Sequence, residues 1–260
     1  MKYIITFLIT VSFTTMAQEP ELEGYTSVYA NYTFCKLNDG ATFDDVRPFV
    51  GKYVENANSF ENEVALAVLF PLYASDPDHD FFFVSHADSR EEMGAFNDKM
   101  FQIFAQSEDN AMPPMDCDVE LEAFQRVGPS SSDAAPQGRT IVNYWPCKYT
   151  RGFDRRAMRE ARRQAALKHY AAGAEGGYRY IMTNSGTDRE QDVDFWFSTS
   201  APSEAARGKN IDLWWSEIRN SDEWAEVRKH ASCQDSETYA AYPLKPVSYT
   251  HLTLPTICSV

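Results

Sequence analysis

Two hexapeptides carry the same chemically capable residues in the same order. NYTFCK at 31–36 and NYWPCK at 143–148 agree at four of six positions, 112 residues apart. Each offers an amide, a phenol, a thiol and an amine. On a strand, alternation sends Asn31 and Cys35 to one face and Tyr32 and Lys36 to the other. A second pair follows: DFFF begins at Asp80 and DFWF at Asp194, each setting a carboxylate beside aromatic rings. Such side chains could hold a small hydrophobic or aromatic ligand, polar groups orienting it and rings covering it. The candidate ligand-binding residues are Asn31, Tyr32, Asp80, Asn143, Tyr144, Trp145, Asp194 and Trp196. The same residues have a structural reading, since buried amides are commonly satisfied by neighbours and aromatic runs commonly pack cores.

No motif nominates a catalytic residue. The histidines, His79, His86, His169, His230 and His251, form no HxxxH or HxH pair and no Cys/His spacing, so no metal site is expected. The sequence has no Gly-rich phosphate loop, GxSxG elbow or HExxH. Arg155, Arg156, Arg159, Arg162, Arg163 and Lys168 crowd one helical stretch, read as a solvated face balanced by an acidic body. With net charge −14 and pI ≈ 4.8 the chain repels phosphate backbones, and no nucleic-acid partner is expected.

The first residues, MKYIITFLITVSFTTMAQEPE, join Lys2, an apolar run from Tyr3 to Phe13 and a small-residue exit at Ala17. That pattern predicts a signal peptide over 1–17. The run is short for a bilayer span and no other stretch qualifies, so no stable membrane insertion is expected after cleavage. The mature chain is expected to be exported, periplasmic or extracellular, where disulfides persist.

The elements that must position these residues repeat as well. DHDFFFVS at 78–85 aligns with DVDFWFST at 192–199, Gly94 with Gly208, and Cys117 with Cys233, at offsets of 114, 114 and 116. Ordered matches at a slowly drifting offset indicate duplication. GPSSSDAAPQGR at 128–139 reads as a linker between repeats at 25–127 and 140–246. In the first repeat the pattern predicts strands near 27–35, 64–74, 80–87 and 117–127, with helices from about 42 and after Ser89. In the second, a helix is expected near 154–174, an apolar stripe of Ile211, Trp214, Trp215 and Ile218 on the next, and a last strand near 235–245. The order β-α-β-β-α-β is the ferredoxin-like plan, so the fold class is α+β with two tandem ferredoxin-like repeats. In that plan the fourth strand runs antiparallel beside the first, bringing the end of one to the start of the other. Four cysteines allow three pairings; the repeat favours Cys35–Cys117 and Cys147–Cys233, each closing a loop of about 80 residues.

Two fused ferredoxin-like repeats resemble the dimeric α+β-barrel superfamily, with the two copies in one chain. The resemblance covers 25–246 at the level of element order, and exported marine bacterial proteins with this duplicated Cys-bearing layout are similar. It implies that the two sheets pair face to face into an intrachain barrel. The superfamily includes small-molecule monooxygenases, haem-degrading enzymes and chlorite dismutase-type haem proteins. It therefore implies small-molecule binding or a monooxygenase-like role in the barrel; the alternative is a non-catalytic envelope or secreted scaffold. No family catalytic motif is matched. No cofactor is predicted; a haem would look to His169 for a ligand, and the first repeat has no histidine there.

The tail VSYTHLTLPTICSV, 247–260, fits neither repeat. Its first ten residues back-translate to GTC TCT TAT ACA CAT CTG ACG CTG CCG ACG, which resembles a transposon-end sequencing-library adapter. It is read as adapter-derived and set aside with Cys258.

Overall fold

The computed structural model describes residues 24–74, 78–106, 113–131, 138–186 and 192–245, with the backbone alone at 118–120. The expected signal peptide and tail, with His251 and Cys258, lie outside the described residues. The first repeat runs β1 (Thr26–Leu37), α1 (Phe43–Asn58), β2 (Ala65–Tyr73), β3 (Phe81–Ala87), α2 (Arg90–Ala105) and β4 (Met115–Val127). The second runs β5 (Thr140–Tyr149), α3 (Arg155–Ala171), β6 (Gly177–Ser185), β7 (Phe195–Ala201), α4 (Glu204–Leu213), α5 (Asp222–His230), β8 (Ala231–Cys233) and β9 (Glu237–Lys245). The strands are rich in aromatic and β-branched residues, while side-chain N-caps start the helices: Ser89 on α2, Asp154 on α3 and Ser203 on α4.

Within each repeat the strand order is that of the ferredoxin-like plan: β4-β1-β3-β2, then β9-β5-β7-β6. The two sheets face one another, but what closes the ring is pairing at both edges. β2 joins β9 and β4 joins β6, both antiparallel. The fold is thus a closed antiparallel α+β barrel, a ring that leaves no edge strand open. β1 and β5 run the same way, so their ends at Cys35 and Cys147 mark one end of the barrel, here called the upper. Both disulfides, Cys35–Cys117 and Cys147–Cys233, sit there.

Period-2 alternation divides each strand between two cores. Ala30, Tyr32, Leu69, Phe82, Val84, Ala123, Ile181, Tyr239 and Ala241 fill the barrel. The opposite faces pack under the helices: Cys35, Val68 and Phe81 cluster with Val50 of α1 in the first repeat, and Tyr178, Phe195 and Phe197 with Met158 of α3 in the second.

Three expectations need correction. The stripe Ile211–Trp214–Trp215–Ile218 does not form one buried face: Ile211 and Trp215 are exposed and only Ile218 is buried. α4 ends at Leu213 and a π-helical turn (Trp214–Ile218) changes the phase before α5. The last strand is in two pieces, β8 and β9, parted at 234–236. The basic cluster of α3 is not all solvated. Arg159 is buried, and the Arg162 guanidinium lies 3.5 Å from the Phe197 ring centre and 4.2 Å from that of Trp224. Aromatic faces stabilise such a cation where no carboxylate reaches it.

Candidate functional site

The repeated motif splits as alternation requires, and its halves do different things. Tyr32 and Tyr144, equivalent in the two repeats, both enter the barrel and are hydrogen-bonded to each other. Burial holds both phenols well above the usual tyrosine range, so both are neutral. Asn31 and Asn143 point the other way, beneath the helices. Asn143 is buried and accepts from Arg207 Nε at 3.0 Å and from Thr238 Oγ1 at 2.8 Å, tying α4 to the sheet. Asn31 is half-buried opposite Ser85 and Glu122, without an arginine in the position of Arg207.

Asp80 and Asp194 are clamps on the upper end. The Asp80 carboxylate accepts from Leu37 N and the Asp194 carboxylate from Tyr149 N, each at 2.7 Å. Their own N–H groups donate to the carbonyls of Cys35 and Cys147, each at 2.9 Å. Trp145 packs on the helix side against Phe197, whereas Trp196 faces the barrel. The structure therefore brings Tyr32, Tyr144 and Trp196 into or against the interior and keeps the other five candidates outside it.

Inside, a polar chain that the motifs did not reveal descends from the waist to the lower end. Tyr32 Oη accepts from Gln125 Nε2 at 2.6 Å, and Gln125 Oε1 accepts from Arg179 Nη1 at 2.9 Å. The same Nη1 lies 2.8 Å from His86 Nε2. Burial, then the Arg179 charge, holds the His86 imidazole well below its ordinary range, so His86 is neutral and Nε2 accepts. Gln125 is fully buried, and extending the alternation of Leu121 and Ala123 by two residues would have found it.

The upper end is open. A cleft of ≈ 350 Å³ is lined by Pro146, Trp196, Gln234, Asp235, Ser236 and Glu237. Its cause is local. Pro146 O accepts from Gln234 N, so the N side of Pro146 faces the same strand and brings no N–H. One ladder bond is lost where β8 and β9 part. The first repeat has Phe34 at this position; there the ladder also shifts register between Phe34 and Lys36, but β4 remains one continuous strand. Glu237 accepts from Tyr239 Oη at 2.6 Å and Asp235 is exposed, giving one wall carboxylates while Trp196 supplies an aromatic one.

No family model and no curated protein matches the chain. Among solved structures, two variants of chlorite dismutase from Candidatus Nitrospira defluvii are similar, each with TM-score 0.50. Identities are 11% and 13%, covering 84% of this chain and 92% of theirs. The likeness is one of fold and agrees with the closed α+β barrel.

The haem raised by the superfamily resemblance can be tested against the side chains. His169 Nε2 is 2.9 Å from Asn210 O, His230 engages Glu226 and the Asp154 N–H, and His86 engages Arg179. His79 Nε2 has no partner among the described residues, but its ring lies flat on Tyr239 and edge-on to Phe34 and Phe82. His79 thus keeps a buried, unpartnered Nε2 beside Glu237 of the cleft wall, whereas the other three imidazoles are engaged within the fold. The ligand expected of a haem, His169, is already hydrogen-bonded to Asn210 O and is not free to serve.

Proposed function

We propose that this is an exported binding protein that takes a small molecule with an aromatic or apolar body and a positive end in the cleft at the upper end of its barrel. The cleft beside Trp196 carries the reading. A tryptophan face attracts a cation, and Asp235 and Glu237 supply opposite charge beside it. Ligand-binding depth is limited by the waist, where Tyr32, Phe82, Tyr144 and Tyr239 pack together. That packed waist also favours a second reading, a non-catalytic scaffold whose barrel is only a core. Export is supported by the N-terminal pattern and by the two disulfides. Fluorescence titration of the mature chain (18–246) with benzyltrimethylammonium separates the readings. Saturable quenching that Trp196→Phe abolishes supports the cleft; no saturable binding supports the scaffold.

A further inference from the structure

The lower end of the barrel holds a cation without a counter-ion. Arg179 points inward from β6, and its two hydrogen-bond partners, Gln125 Oε1 and His86 Nε2, are neutral. The phenols that feel its charge, Tyr32 and Tyr144, are protonated. No described carboxylate lies within ion-pair distance of Arg179. Both of its bonds use Nη1, and no described group accepts from Nε or Nη2. That free edge is the one that forms two parallel bonds to a carboxylate. A half-buried cation left unpaired is unfavourable, and a bound anion would offset the cost.

The duplication shows where a ligand would lie. The partner of Arg179 in the first repeat is Ala67, at the offset of 112. Gln125 corresponds to Ala241 at 116, and His86 to Ser200 at 114. Thus one seam, β4·β6, presents Arg179 and Gln125, while the other, β2·β9, presents two methyl groups. Ala67, Ala241 and Val142 all belong to the barrel core, yet Ala67 and Val142 keep partial exposure, so water reaches this end. The result is a polar wall on one seam and an apolar one on the other, at an end where Ala67 and Val142 keep partial exposure.

We infer that the lower end is a second binding site, for a small organic monocarboxylate whose head pairs with Arg179 Nε and Nη2 and whose apolar body lies against Ala67, Val142 and Ala241. Gln125 and His86 are positioning residues, holding Nη1 so that the free edge faces the space. The site is at the opposite end from the Trp196 cleft and does not depend on it.

Calorimetric titration of the disulfide-bonded chain with sodium benzoate, at fixed ionic strength and pH 7.5, tests this. Benzamide serves as the uncharged analogue. Saturable one-to-one benzoate binding is expected, at least about tenfold tighter than benzamide, and at least about tenfold weaker in Arg179→Gln. Ala67→Leu leaves the guanidinium and its partners in place but fills the facing wall, and should also weaken benzoate at least about tenfold. Absent benzoate binding to the unaltered chain, equal binding of benzamide, or unchanged affinity in folded Arg179→Gln would overturn the assignment. Full affinity in Ala67→Leu would overturn the placement of the apolar body.

Discussion

The two ends of the barrel are made from the same eight strands and are chemically opposite. The upper end carries Trp196, Asp235 and Glu237 around a gap that Pro146 opens. The lower end carries Arg179, backed by Gln125 and His86 and faced by alanines. Duplication alone would make the two halves of each end alike. Both ends instead became lopsided through few replacements, Phe to Pro above and Ala to Arg below, comparing one repeat with the other. A closed ring tolerates this because each change sits at a strand end or a seam, where it disturbs few neighbours. At the waist one symmetric pair remains, Tyr32 and Tyr144, while Tyr239 answers Ala123 and Phe82 answers Trp196.

The comparison can be broken by importing residues from one repeat into the other. The largest effect is expected from Gln125→Ala, which places the other seam's residue beside Arg179. It opens a cavity and strips a partner from both Tyr32 and Arg179, and should cost about 2–4 kcal/mol in chemical denaturation. Ala241→Ser, a small polar change on the alanine seam, should cost clearly less; equal costs would mean the seams are not different in kind.

At the upper end, Pro146→Phe restores the missing N–H and the first repeat's side chain. Amide exchange at 234–236 should slow, and benzyltrimethylammonium should bind about tenfold more weakly, ~1.4 kcal/mol. Unchanged exchange would show that Pro146 is not what parts β8 from β9.

Acid sharpens the contrast further. Folding lowers the proton affinity of His86, whose unfolded counterpart titrates near 6.5. Below that pH the unfolded chain binds more protons than the native one, so stability should fall as pH drops from about 6.5 toward the depressed native value. Above 6.5 this contribution is constant. His79 and His169 are also depressed by burial and add to the slope in the same direction. His86→Ser, importing the Ser200 type, should therefore flatten the slope without abolishing it; an unaltered slope in thermal melts between pH 5 and 7 would count against a neutral His86.

The smallest effect belongs to the waist. Tyr144→Phe removes one hydroxyl whose hydrogen-bond partner, Tyr32, keeps its bond to Gln125, and should cost about 0.5–1.5 kcal/mol.

Much of the architecture was legible because duplication prints it twice. The alternation in NYTFCK and NYWPCK placed the tyrosines on one face and the asparagines on the other, and the cysteine positions selected the observed disulfides. The candidate site was less legible. Asp80 and Asp194 stood out by repetition, and repetition there reflects a shared backbone clamp at the strand ends. Arg179, Gln125 and His86 lie 54 and 39 residues apart along the chain and meet only through ring closure, which no local pattern reports. The difference between the repeats was the better signal: Pro146 against Phe34, and Arg179 against Ala67. The π-turn at 214–218 escaped because the apolar spacing there is helical while the backbone is not regular α.

On the two proposals together, the packed waist of Tyr32, Phe82, Tyr144 and Tyr239 separates two sites of opposite charge preference. Titrating benzyltrimethylammonium into the protein with and without saturating benzoate tests it most directly. Both ligands should bind at once, each affinity unchanged within about twofold, because neither reaches past Tyr32 and Tyr144. Mutual exclusion, with either ligand weakening the other by more than about tenfold, would show a single continuous cavity and rule out two separate sites.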